Sequence, residues 1–235
     1  MIKKDKFLKR GIAISLASIS IALPVTNTVY AMEPESATPL TSYSLEDNIK
    51  VNVLEDNDER KTVEVVEGNK VSTSTFDKKN NTLSVEVKSG DTILQKSFVD
   101  ENSSIDIDQK SMAQARAVES VKCMYSKLKY SINMKSWTIT NSKGSVKKRP
   151  ETNSHKDYLY RFRDAVKSSR QSENAARASL DGASISIVMG SITAATGVGA
   201  VIAAVGAVGG SLSAAYNIWD SVVARREADR YFAIL

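Results

Sequence analysis

The 235-residue chain has one cysteine, one histidine and four prolines, and only 6% of it is aromatic. With Cys123 alone, no intrachain disulfide framework can form, although such frameworks often support small exported domains. Cys123 reads instead as a buried, inert thiol. With His155 alone, the chain lacks the ligand set that zinc sites use, and His155 reads as a surface or capping residue. There is no Gly-x-Ser-x-Gly elbow, and the glycine-rich stretch lacks the lysine and the strand of a phosphate cradle. No spacing among the acids of 46–108 singles out a carboxylate pair for glycoside chemistry. Asp56-Asn57-Asp58-Glu59 and Asp106/Asp108 have only generic spacing for calcium. The expectation is a non-enzymatic protein without metal or cofactor.

Charge of one sign is also scarce. The net charge is +5, but residues 1–31 hold five bases and one acid. Residues 32–110 hold nine bases against seventeen acids, and residues 111–235 hold eighteen against nine. This segregation does not suit a uniformly basic nucleic-acid binder. Few prolines and an apolar content of 42% exclude wholesale disorder.

What is present begins with a leader. Residues 1–10 are basic, and Gly11 to Leu23 is an uncharged, largely apolar run ended by Pro24. Val29-Tyr30-Ala31 supplies the small residues of a cleavage site, with Ala31 at the cut. The run is shorter than the ~20 residues of a spanning helix. Residues 1–31 therefore read as a signal peptide, and the mature product from about Met32 is expected outside the cell.

Residues 32–48 read as a flexible linker. Over 49–110, period-two alternation predicts an antiparallel meander of five strands with one dry face and one wet, acidic face. Gly68-Asn69 marks a two-residue hairpin loop. Residues 111–154 read as a connecting region. In it, Val118, Val121, Tyr125 and Leu128 suggest a helix over 111–128, 129–140 looks extended, and 141–153 is a basic loop. A helix is expected over 155–180, capped by Ser154 with Asp157. Its apolar stripe weakens at Ser169 and Glu173.

From Gly182 to Trp219 the chain has 38 residues without a charge, bounded by Asp181 and Asp220. Gly190, Gly197, Gly199, Gly206, Gly209 and Gly210 punctuate it. Gly206 and Gly210 form a Gly-xxx-Gly pair, and Gly199 and Ala203 extend the small-residue rhythm that lets helices approach closely. Thr196 to Gly199 is the natural bend of a helical hairpin. Ten bases against four acids lie over 143–177, directly before this run. Basic residues that dock on anionic lipid, followed by an apolar hairpin that inserts, make a coherent sequence of events. The expected docking residues are Lys147, Lys148, Arg149, Arg161, Arg163, Lys167 and Arg170. The expected insertion and packing residues are Gly190, Gly199, Ala203, Gly206, Gly210 and Trp219. The acidic region is expected to cover the basic one by charge until a target is met.

The fold class is thus α+β: a small meander, then a helical region with a Gly/Ala-rich hairpin and an Arg-rich tail. The leader, the meander with Gly68-Asn69-Lys70 and Phe76-Asp77-Lys78-Lys79, and the Gly/Ala/Val run resemble the geobacillin-type large bacteriocins of Gram-positive bacteria. That resemblance implies an unmodified, secreted, antibacterial protein that is not an enzyme. The expected partners are an anionic bacterial membrane and an immunity protein, with no nucleic acid. The other reading is a surface- or partner-binding module whose hairpin is only a buried core.

Overall fold

In the computed structural model, residues 39–45, 48–100, 119–193 and 196–235 are described. The signal peptide with its cleavage site at Ala31, most of the linker, and the first part of the 111–128 helix lie outside them. All described residues belong to one compact unit, Ala37–Leu235.

The alternating sequence forms the meander that its period dictates. Strands β1 (Thr41–Ser44), β2 (Ile49–Asp56), β3 (Arg60–Glu67), β4 (Lys70–Asp77), β5 (Thr82–Ser89) and β6 (Thr92–Asp100) pair antiparallel in chain order. Gly68 supplies the positive φ (+61°) of the β3–β4 turn. The inner face carries Ile49, Val51, Val63, Val65, Leu83, Val85 and Val87, all buried. Two features differ from the sequence reading. The predicted linker contributes β1, an added edge strand. The wet face is also not a field of acids. Asp56, Glu59 and Asp77 sit at strand ends and turns, and Thr73, Thr75, Lys50 and Lys88 share the outer face with Glu64 and Glu86.

A second sheet follows, of which the sequence reading anticipates the extended 129–140 stretch but not the strands on either side of it. Strands β7 (Glu119–Lys122), β8 (Lys129–Asn133), β9 (Ser136–Thr140) and β10 (Val146–Pro150) pair in the order β10-β9-β8-β7. In the described part of the expected 111–128 helix, residues 119–122 form a strand instead, and Lys127 in a left-handed conformation (φ +59°) turns the chain back. The basic loop contains β10.

Four helices complete the chain: α1 (Lys156–Ala176), α2 (Gly182–Ser191), α3 (Val198–Ala207) and α4 (Leu212–Ile234). Asp181 and Ser211 cap α2 and α4 by accepting from the backbone N–H of Ser184 and Ala214. At α1 the expected Ser154 cap is not made; His155 stands at the cap position without a side-chain bond, and Ser154 pairs with Thr152 instead.

Two cores result. One joins the valine face of the meander to α2, α3 and the first half of α4, with Ala200 to Val205 and Ile218 inside it. The other is aromatic: Tyr130, Trp137, Phe162, Tyr231 and Phe232 join the second sheet to the start of α1 and the end of α4. Between them, Glu173 is buried and, among the described residues, makes no direct ion pair. Its carboxylate accepts the backbone N–H groups of Met124 (2.6 Å), Tyr125 (3.2 Å) and Ser126 (2.8 Å). Nearby, Ser126, Ser169 and Ser221 form a buried hydroxyl chain.

Candidate functional site

The uncharged run is the candidate site. It folds into two ten-residue helices, α2 and α3, and the opening turns of α4. At 1.5 Å per residue each ten-residue arm is roughly 15 Å long, about half a bilayer core. Among the described residues no helix is long and apolar enough to cross a membrane. The break opens earlier than the expected bend of Thr196 to Gly199: α2 ends at Ser191, Gly197 caps α3, and Val198 and Gly199 are already helical.

Burial of α3 is nearly complete, from Gly199 through Val205 and at Ala207. Its small residues explain how it fits. A Cβ on Gly206 would stand 3.4 Å from Val63, and one on Gly199 would meet Glu67 at 3.0 Å and Val65 at 3.4 Å. Ala203 lies between them, fully buried. The stripe therefore does serve close approach, but to strand β3 rather than to another helix. Opposite, β4 presents the small inner residues Ser72 and Ser74.

Gly210 corrects the Gly-xxx-Gly reading. It lies beyond the end of α3, where its N–H closes the helix on the Val205 carbonyl (2.8 Å). A Cβ there would sit 2.5 Å from Val205 Cγ1, so no larger residue fits unmoved. Gly190 faces Val99 of β6, and Trp219 packs beside the first core with the Arg226 guanidinium 5.3 Å from its ring.

Most of the expected docking cations have partners within the protein, several of them at its surface. Lys147 donates to the Phe232 carbonyl (2.7 Å), and Arg149 donates to the main-chain oxygen of Leu235. These two β10 side chains place positive charge at the C-terminal end of α4, whose own last turn has none. Lys167 pairs with Glu119 (2.6 Å), Arg163 pairs with Asp164 (2.8 Å), and Arg170 donates to the Lys122 carbonyl (2.8 Å). Hydrogen bonds from Lys167 and Tyr130 hold the Glu119 carboxyl below its ordinary range. Lys148 is exposed. Arg161 remains on the surface and shares the Tyr231 hydroxyl with Arg230, at 3.5 Å and 3.1 Å. Both arginines line a shallow groove of about 610 Å³ with Tyr158, Tyr231 and Ser154.

The charge-cover expectation is also corrected. Among the described residues, every ion pair stays within its own half of the chain. The meander's acids pair with its own bases, as in Glu55–Arg60, Asp56–Lys78, Glu59–Lys79 and Glu86–Lys96. The sheet is joined to the hairpin by valine and alanine packing and by hydrogen bonds at the bend.

Sequence reasoning missed Gln95, Ser97, Glu173 and Arg226. Gln95 had one visible signal, a polar residue at an inward position of β6. Cys123 is fully buried, and burial pushes its thiol up to about 12, which matches the inert-thiol reading. Among the described residues no group of three or more His, Cys, Asp or Glu could hold a metal. Comparisons with protein families, curated proteins and solved structures find no match for this chain.

Proposed function

We propose that this is a secreted antibacterial protein seen in its closed, water-compatible form, with the membrane-inserting hairpin sheathed by the meander. One observation carries the reading. The uncharged α3 is buried on nearly every side between a valine sheet and α4, by contacts that involve no ion pair. An apolar segment held by small-residue packing and a few hydrogen bonds can leave its site without breaking a charge pair. Because ten-residue arms are too short to span a bilayer, insertion requires α2 and α3 to lengthen or to lie in the interface. The resemblance to large bacteriocins supports the same reading.

A covalent lock tests it. A Cβ at Gly190 would stand 3.2 Å from Val99 Cγ1, a separation within the reach of a disulfide. The Val99→Cys/Gly190→Cys protein is expected to release dye from phosphatidylglycerol-containing vesicles when reduced and to lose that activity when oxidised. Leakage that ignores the lock, or absence of leakage from the unmodified protein, would remove the membrane reading. A second reading, a binding module, is favoured by the groove of Arg161, Arg230 and Tyr158, and in that case Arg161→Ala would weaken surface binding while vesicles stayed intact.

A further inference from the structure

The bend between α2 and α3 is held by side chains from two other elements, and they are of two kinds. Gln95 of β6 is neutral, buried and fully matched. Its Nε2 donates to the Ser191 carbonyl (3.0 Å), and its Oε1 accepts from the hydroxyls of Thr193 (2.9 Å) and Thr196 (2.7 Å). Ser97 adds a bond to the same Ser191 carbonyl (3.0 Å). Arg226 of α4 is charged and incompletely matched. Its Nη2 donates to the carbonyls of Thr193 (3.0 Å) and Thr196 (2.8 Å). Its Nε is buried with no hydrogen-bond partner, and among the described residues no carboxylate pairs with it. The Trp219 ring lies beside it.

A guanidinium held by two neutral carbonyls and a ring face has weaker partners than it can find elsewhere. The bonds to the carbonyls already have an ionised donor, but a phosphate adds an opposite charge on the acceptor and its oxygens match the guanidinium fork in pairs. The bases near this end of the chain that could otherwise have met lipid are largely engaged, whereas Arg226 is held only by the part that must move.

We propose that Arg226 is a latch on the bend that an anionic lipid phosphate opens. The guanidinium exchanges the carbonyls of Thr193 and Thr196 for phosphate oxygens, and the loosened bend leads the hairpin out of the core. Gln95 and Ser97 hold the bend until that exchange, and their neutral bonds cannot respond to the charge of a lipid. The inference rests on the membrane reading, and it adds that the lipid acts at one residue as a key, beyond general attraction.

Hydrogen exchange at the Thr196 and Val201 amides separates the two ideas, because it reads the bend whether or not any vesicle leaks. Vesicles of phosphatidylglycerol and phosphatidylcholine should quicken exchange there by about tenfold in the unmodified protein, with α1 amides unchanged. Arg226→Gln should exchange fast from the start and respond no further, and its dye release should no longer depend on phosphatidylglycerol. Lys143→Ala, which removes an exposed charge far in sequence from the bend, should behave like the unmodified protein. Free inorganic phosphate at equal ionic strength should do little, because it lacks the dense array of a lipid surface. The latch is overturned if Arg226→Gln leaves bend exchange unchanged, or if exchange rises equally in α1. The lipid key is overturned if Arg226→Gln still requires phosphatidylglycerol, or if free phosphate opens the bend as well as vesicles do. If no protein leaks while the vesicle-dependent exchange at the bend still needs Arg226, the latch stands and the membrane-permeabilising reading falls.

Discussion

The two cores of this protein are made from different residues and hold different things. The first is aliphatic, with valines on the sheet and Ala, Gly and Ile on the helices, and it encloses the uncharged hairpin. The second is aromatic, with Trp137, Tyr130, Phe162 and Phe232 packed around the junction of α1, α4 and the small sheet. Large rings interlock and bury much surface each, so the second core is costly to open. Small aliphatic groups instead let α3 lie close against β3, where it is held by many individually weak contacts. On the proposed reading, the difference separates a rigid base from a removable insert.

The largest test of that contrast is Trp137→Ala. The ring is fully buried, and its Nε1 donates to Glu151 (2.9 Å), so the change should cost about 3–5 kcal/mol in a denaturant titration. Val65→Ala in the first core removes two methylene equivalents and should cost about 1.6 kcal/mol. Equal losses would erase the distinction between the cores.

Glu173→Gln comes next. The new amide would turn one N–H₂ toward backbone donors that the carboxylate now accepts, so a loss of about 2–3 kcal/mol is expected from the same titration. A neutral outcome would mean that the 124–126 turn does not need the negative charge.

Gly206 then probes the insert itself. Gly206→Leu would drive a branched side chain into Val63 and should cost about 1–3 kcal/mol. Gly206→Ala adds a Cβ at ordinary contact distance, 3.4 Å, and should stabilise α3 by about 0.5–1 kcal/mol. If alanine is as harmful as leucine, the helix sits closer to β3 than the distances allow.

The smallest effect concerns charge. Because the ion pairs stay within each half and are mostly exposed, raising salt should move the unfolding midpoint by less than about 1 kcal/mol equivalent. Lowering pH should remove a little stability as Glu119 protonates. Its folded pKa is held down, so its contribution exists above the unfolded value and fades as pH falls through the folded one. Lys167→Ala should flatten that acid limb, as read by thermal melts across pH.

The meander was legible because period-two alternation and a turn glycine act over short distances. Strand β10 was not, because Lys147, Lys148 and Arg149 look alike in sequence. Only the fold shows that Lys147 and Arg149 turn inward to the end of α4 while Lys148 turns out. The stripe of α1 looked weak at Ser169 and Glu173 because their partners, Ser126 and the 124–126 amides, lie more than forty residues away. The spacing from Val118 to Leu128 imitated a helix, yet Tyr125 and Leu128 reach the interior from a turn. The small-residue rhythm of 199–206 correctly signalled close approach, but no local pattern could say that the partner was a strand.

Helix α4 belongs to both cores, giving Ile218 and Val222 to one and Tyr231 and Phe232 to the other. It follows every other described element in the chain. A ribosome must therefore deliver residues past 222 before the aliphatic core can close, and past 232 before the aromatic one can. Up to that moment the nascent polypeptide has two open halves and no finished one.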